Sequence, residues 1–246
     1  ISDEDAGNAI KHLQEEFNAD GVEFYQGLGY RHLMVVRGKG LEADTTPPHD
    51  ITGQPVADHL PKGKDAWIID AITERARVAF THGDVGKANS IWLWGQGKRP
   101  AMPLYKDLYG VKGATVAAVD LIKGIAMCAG MDLIEAPGMT GFLDTNFAGK
   151  AEYGMKALAD HDYVFIHVEA PDEAGHMGSI EEKLKAIENI DSLMLPIITA
   201  EAKKYGDYRI LLMPDHPTPV RTKTHTNLPV PAILDGTGIE ADENTL

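Results

Sequence analysis

Apolar residues along the chain fall into two textures. In the first they recur at helical spacing. Ile68, Ile69, Ile72, Ala76 and Ala79 return at intervals of three and four within Ala66 to Phe80, which predicts a helix with one buried face and Arg75 and Arg77 beside it. Asp65 stands where it can cap that helix. A second helix is expected from Ala6 to about Phe17, opened by Ser2 as N-cap with Asp3, Glu4 and Asp5 in its first turn. Between them, Arg31 to Arg37 reads as a short strand bounded by glycines, and Thr45 to Pro55 holds too much proline for a regular element. Gly83-Asp84-Val85-Gly86 then breaks the pattern.

Beyond residue 88 the apolar positions gather into short runs: 91–94, 114–119, 132–135, 163–168, 209–213 and 230–234. Several are continuous rather than alternating, as in strands covered on both faces. Helical stretches are expected between them at 120–129, 149–159 and 179–203. The alternation predicts an α/β fold, a mostly parallel sheet sandwiched by helices, with its chemistry at the carboxyl ends of the strands. The expected division is 1–88 and 89–246.

Composition narrows the partners. The chain has 246 residues, 23 basic and 37 acidic, for a formal charge of −14. Such a balance repels phosphate backbones, so nucleic acid is not the expected partner, and an anionic ligand would need local cations or metal ions. Cys128 is the one cysteine and forms no internal bridge. No run approaches the ~18 apolar residues of a membrane span, and Ile1-Ser2-Asp3-Glu4-Asp5 lacks the marks of a signal peptide. The expectation is a cytoplasmic protein with no membrane partner. An opening helix without Met and a polar tail after an apparent strand both suggest a segment of something longer.

Candidate chemistry is concentrated after two of the runs. Run 163–168 leads into Glu169-Ala170-Pro171-Asp172-Glu173-Ala174-Gly175-His176, and run 209–213 into Pro214-Asp215-His216-Pro217, then Thr224-His225-Thr226. Carboxylate oxygens mixed with imidazole nitrogens suit zinc or manganese rather than calcium. The prolines and Gly175 are read as loops, in which neighbouring Asp215 and His216 can face one point. Asp172, His176 and His225 suffice for one ion with an open position, whereas Asp215 and His216 are too few for a second. A nucleophile is lacking too, since Ser2, Ser90, Ser179 and Ser192 all sit away from these strand ends.

These motifs, with Thr46-Pro47-Pro48-His49-Asp50-Ile51-Thr52-Gly53 and Trp92-Leu93-Trp94-Gly95-Gln96-Gly97-Lys98-Arg99-Pro100, resemble those of the archaeal-type cofactor-independent phosphoglycerate mutases of the alkaline phosphatase superfamily. The matches run from about Tyr30 to Pro231. The resemblance implies that Asp172, His176 and His225 bind one divalent ion, usually manganese, and Asp215 and His216 a second. It implies that the second site is completed by an Asp and a nucleophilic Ser preceding residue 1. It also implies that 1–88 is the end of a smaller inserted α/β domain that handles substrate, and 89–246 the later part of an incomplete phosphatase-like core. The implied reaction interconverts 3- and 2-phosphoglycerate by phosphoryl transfer through the protein, without nucleotide or bisphosphoglycerate.

Cations must then assist. Arg99 offers a planar fork for phosphate or carboxylate. Lys123 could reach the phosphate or simply pair with Asp120. His49, Asp50, Arg31 and His32 could position glycerate hydroxyls and carboxylate or shuttle a proton. Zinc and magnesium tolerate parts of the same ligand set. Other phosphotransferases and phosphatases of the superfamily, including relatives labelled homoserine kinase, would share the metal motifs, and a non-catalytic metal-binding piece is the remaining alternative.

Overall fold

A computed structural model describes residues 1–241 except 19, 28, 39 and 52, so Thr52 and the tail 242–246 lie outside the described residues. The chain divides into two compact units, Ile1–Arg99 and Pro100–Leu246.

The first unit is a hairpin packed on two helices. In α1 (Asp3–Glu16) the Ser2 hydroxyl accepts from Asp5 N at 3.1 Å, and Ala6, Ala9, Ile10 and Leu13 form the buried stripe. Strands β1 (Val22–Tyr25) and β2 (Leu33–Val36) pair antiparallel, Val22 opposite Val36 and Tyr25 opposite Leu33. The first of these strands is not anticipated by the sequence pattern. Helix α2 (Ala66–Ala79) buries Ile69, Ile72, Ala76 and Ala79, the face its spacing predicts. Asp65 does not cap it, because its carboxylate accepts from Glu42 N at 2.8 Å instead. Proline does not exclude all regularity before it, since 3₁₀ turns occupy Pro48–Ile51 and Val56–His59. The run 91–94 is no strand. Ile91 and Leu93 pack against the core of this unit, and the Trp92 indole donates to Thr46 O at 2.8 Å. Side chains hold this segment in place of a backbone ladder, and the contacts therefore divide after Arg99.

The second unit is α/β, as its alternation predicts. After α3 (Tyr105–Tyr109), β3 (Gly113–Val116), α4 (Asp120–Cys128), β4 (Asp132–Ile134), α5 (Phe147–Ala157) and β5 (Tyr163–Ile166) build a parallel sheet of order β4-β3-β5, with Gly113 opposite Tyr163 and Ala114 opposite Asp132. Central β3 is buried at every position. Helices α6 (Ala170–Met177), α7 (Ile180–Asn189) and α8 (Leu195–Ala202) follow. The helix expected over 179–203 is thus interrupted, by a π turn at Ile190–Met194. Pro196 explains the break: it lacks an N–H and crowds the carbonyl four residues back, so the preceding turn widens. Strands β6 (Arg209–Leu212) and β7 (Ile233–Gly236) form a separate antiparallel pair. Among the described residues no helix is long and apolar enough to cross a membrane.

Candidate metal centre

The loop reading of 170–176 is corrected by α6. Pro171 lies in its first turn, where the missing N–H has no helical partner to lose. On this helix Asp172 and His176 are one turn apart and face the same way. Their donor atoms, Asp172 Oδ2 and His176 Nε2, are 3.3 Å apart. His225 comes from the loop after β6, with its Nε2 3.0 Å from His176 Nε2 and 3.5 Å from Asp172 Oδ1. Donors bound to one ion at about 2.0–2.2 Å stand about 3.0–3.6 Å apart, so these contacts between three side chains already have the spacing of donors that share an ion.

Gly175 lets the loop approach the helix. A Cβ there would lie 2.3 Å from Thr218 O, whereas Gly178, which ends α6 at φ +72°, meets only the flexible end of the Lys223 side chain. Lys223 itself has φ 55°, a left-handed backbone outside glycine. Its carbonyl meets His176 Nδ1 at 3.0 Å. A carbonyl only accepts, so the imidazole proton stands on Nδ1 and the Nε2 lone pair is left for an ion.

Asp215 and His216 follow β6 in irregular backbone, as expected. His216 Nε2 lies 3.4 Å from Asp215 Oδ2, and Asp215 Oδ1 accepts from His216 N at 3.0 Å. The two donor sets abut. Donor atoms of Asp172, His216 and His225 all lie within 4.8 Å of one another, and the His216 and His225 ring centroids are 3.9 Å apart.

Further residues surround this cluster, among them Lys150 and His167, which the sequence gives no reason to single out. Lys150 on α5 is 0% exposed, and its Nζ donates to Thr140 O and His167 O, both at 3.3 Å. Burial holds its pKa down at about 8, while nearby Glu169 opposes the shift. His167 Nε2 lies 3.2 Å from Glu169 Oε2, its Nδ1 is buried without a hydrogen-bond partner, and burial followed by the Lys150 charge lowers its pKa. Thr218 bridges Asp172 and His216. The serines take local roles: Ser2 and Ser179 cap helices, and Ser90 and Ser192 donate to backbone carbonyls.

The remaining candidates divide between the units. Lys123 in the second pairs with Glu135 at 3.6 Å rather than with Asp120. The others lie in the first unit. His49 and Asp50 share a 3₁₀ turn with Nε2 and Oδ1 3.9 Å apart, and the His49 ring meets the Trp94 ring edge-on at 5.1 Å. Arg31 lies over the Tyr30 ring. His32 Nδ1 accepts from Gly27 N at 3.2 Å, which puts the ring proton on Nε2, and burial lowers its pKa. Arg99 is exposed.

The sequence profile of the Metalloenzyme superfamily matches residues 30–245, a span that includes the two histidines and the carboxylate of this cluster. The chain belongs to that superfamily. A probable 2,3-bisphosphoglycerate-independent phosphoglycerate mutase of Geobacter sulfurreducens is 48% identical over 243 residues, covering 95% of this chain and 61% of that relative. A 2,3-bisphosphoglycerate-independent phosphoglycerate mutase of Methanosarcina acetivorans is 48% identical over 242 residues, covering 94% of this chain and 61% of the relative. The chain thus spans 61% of the length of these two relatives. Among solved structures of similar fold, the cofactor-independent phosphoglycerate mutase from Thermoplasma acidophilum has a TM-score of 0.52 over 97% of this chain and 64% of its own, at 24% identity. The metalloenzyme assignment and the donor geometry agree, since the donor chemistry fits a divalent ion.

Proposed function

We propose that this chain carries the larger part of the two-ion centre of a 2,3-bisphosphoglycerate-independent phosphoglycerate mutase, interconverting 3- and 2-phosphoglycerate in the cytoplasm. The carrying observation is the convergence of Asp172, His176 and His225 to 3.0–3.5 Å. The relatives' names supply the substrate. Manganese is the ion this reading favours, with no nucleotide and no bisphosphoglycerate required.

Asp172, His176 and His225 would hold the first ion, and Asp215 with His216 would contribute two donors to the second, whose further ligands and serine nucleophile would come from outside these residues. Such ions, when bound, neutralise phosphoryl oxygens and lower the pKa of a ligated hydroxyl. The chain's own residues orient the rest. His176 is locked with Nε2 forward by the Lys223 carbonyl. Arg99 grips an anionic oxygen pair through its fork, and Lys123 releases Glu135 to meet the phosphate. His49 and Asp50 handle the glycerate hydroxyl proton, while Arg31 and His32 hold the carboxylate end. These first-unit residues, within 1–88, make that region the substrate-handling part, and 89–246 the metal-binding part.

Phosphorus NMR of 3-phosphoglycerate with manganese and the full-length protein tests the reaction. Appearance of 2-phosphoglycerate is expected; release of inorganic phosphate, or no change, would overturn the substrate. Manganese titration tests the ligands. His176→Ala should weaken the tight site by about 100-fold or more, and an unchanged isotherm would remove His176 from the set.

A further inference from the structure

Thr218 lies between the two donor sets. It is 3% exposed, and its hydroxyl donates to Asp172 Oδ1 and stands 3.3 Å from His216 Nδ1. A threonine hydroxyl has a single proton to give. A carboxylate only accepts, so that proton goes to Asp172, and the contact with His216 is satisfied only if the ring donates from Nδ1. The Thr218 contact thus calls for a proton on His216 Nδ1 and leaves the second ring nitrogen, Nε2, for an ion. That is the atom already 3.4 Å from Asp215 Oδ2.

The residue is fixed from its other side as well. Lys183 Nζ donates to Thr218 O at 2.7 Å, and Gly175 has no Cβ to obstruct that carbonyl. One oxygen therefore orients a carboxylate of the first set and an imidazole of the second.

We propose that Thr218 is a positioning residue that couples the two ion sites by fixing the Asp172 carboxylate and the His216 tautomer together. The coupling rests on the two-ion reading above, while the tautomer is a property of the protein without metal. Removing the hydroxyl takes away the hydrogen bond that orients Asp172 Oδ1 and frees the His216 ring, so both sites suffer. Keeping a hydroxyl on a smaller side chain preserves both bonds.

The test uses full-length protein with Thr218→Val and Thr218→Ser. Long-range proton–nitrogen NMR on metal-free protein reads the His216 tautomer, and electron paramagnetic resonance reads free manganese during titration. Wild type and Thr218→Ser should show Nδ1–H at His216, and Thr218→Val should lose that preference. Manganese affinity should fall about 10–100-fold at both sites in Thr218→Val and stay near wild type in Thr218→Ser. An Nε2–H tautomer in wild type overturns the proposal without reference to any variant, including one that fails to fold. So does a loss confined to one site, or equal loss in the serine and valine variants. A wild type that shows Nδ1–H but produces no 2-phosphoglycerate sinks the mutase reading and leaves the Thr218 hydrogen-bond assignment standing.

Discussion

The two units satisfy their apolar patterns differently. In the first, α1, α2 and the hairpin close on one another, and large side chains such as Leu13, Phe17, Phe24, Ile72 and Phe80 are buried together. In the second, the buried cluster is built on Phe147, Met194 and the alanines 151, 170 and 186, while the strands beside it show apolar side chains outward. Phe165 on β5 is 39% exposed and Leu211 on β6 is 62% exposed. A continuous apolar run was expected to mean cover on both faces, and only β3 meets that expectation. The candidate metal cluster sits in the unit whose apolar surface is less complete. Its donors are placed by close approach of a loop to a helix, and exposed apolar strand faces are contact surfaces or aggregation liabilities.

Truncating Leu13 breaks the comparison most severely. It is 0% exposed, and Leu13→Ala should cost about 3–5 kcal/mol through lost transfer energy and the cavity left behind. All three tryptophans, Trp67, Trp92 and Trp94, lie in the first unit, so denaturation followed by tryptophan fluorescence reports that unit. Its midpoint should fall sharply while manganese affinity, which the proposed ligands place in the second unit, is retained. Parallel loss of both would show that the units do not stand independently.

Lys150 sharpens the contrast from the other side. Its pKa in the fold is about 8 against an ordinary 10.5. Between these values the unfolded chain holds a proton that the folded chain has released. Stability should therefore rise with pH across that window, by about 3 kcal/mol from this group. Below about pH 8 the full cost of the buried ammonium is present. Urea unfolding of Lys150→Met should lack this rise, and the difference from wild type isolates it from other groups titrating there. Equal slopes would falsify the buried-charge assignment.

The contrast also explains what could be read from sequence. That Asp172, His176, Asp215, His216 and His225 come together was legible because metal-ligating types cluster after apolar runs, and local motifs survive without knowledge of packing. Lys150 was not, because its contacts come from burial among residues distant in sequence, and Thr218, next to the ligands in sequence, gave no sign of its bond to Asp172. Pro171 and Gly175 suggested a loop where α6 lies. Proline is at home in a first turn, and Gly175 serves the Thr218 carbonyl rather than a bend. Strand β1 was missed for a different reason, since four residues on a hairpin of opposed hydrophobics carry too short a pattern to stand out.

The smallest expected effect makes the sharpest use of the comparison, because it sets a leucine in the second unit against Leu13 in the first. Leu211 projects outward from β6, opposite Leu234 of β7. Little apolar surface is removed from water there on folding, so Leu211→Ser should change the stability of these 246 residues by no more than about 0.5 kcal/mol. Fluorescence of a hydrophobic dye bound to the protein should fall, because the patch that Leu211 shares with Leu234 becomes more polar. In a longer protein that covers this face, the same substitution should instead carry a burial cost of about 2 kcal/mol or more. Equal, small losses in both contexts would mean that the face stays in water, and that the openness of β6 and β7 belongs to the fold itself.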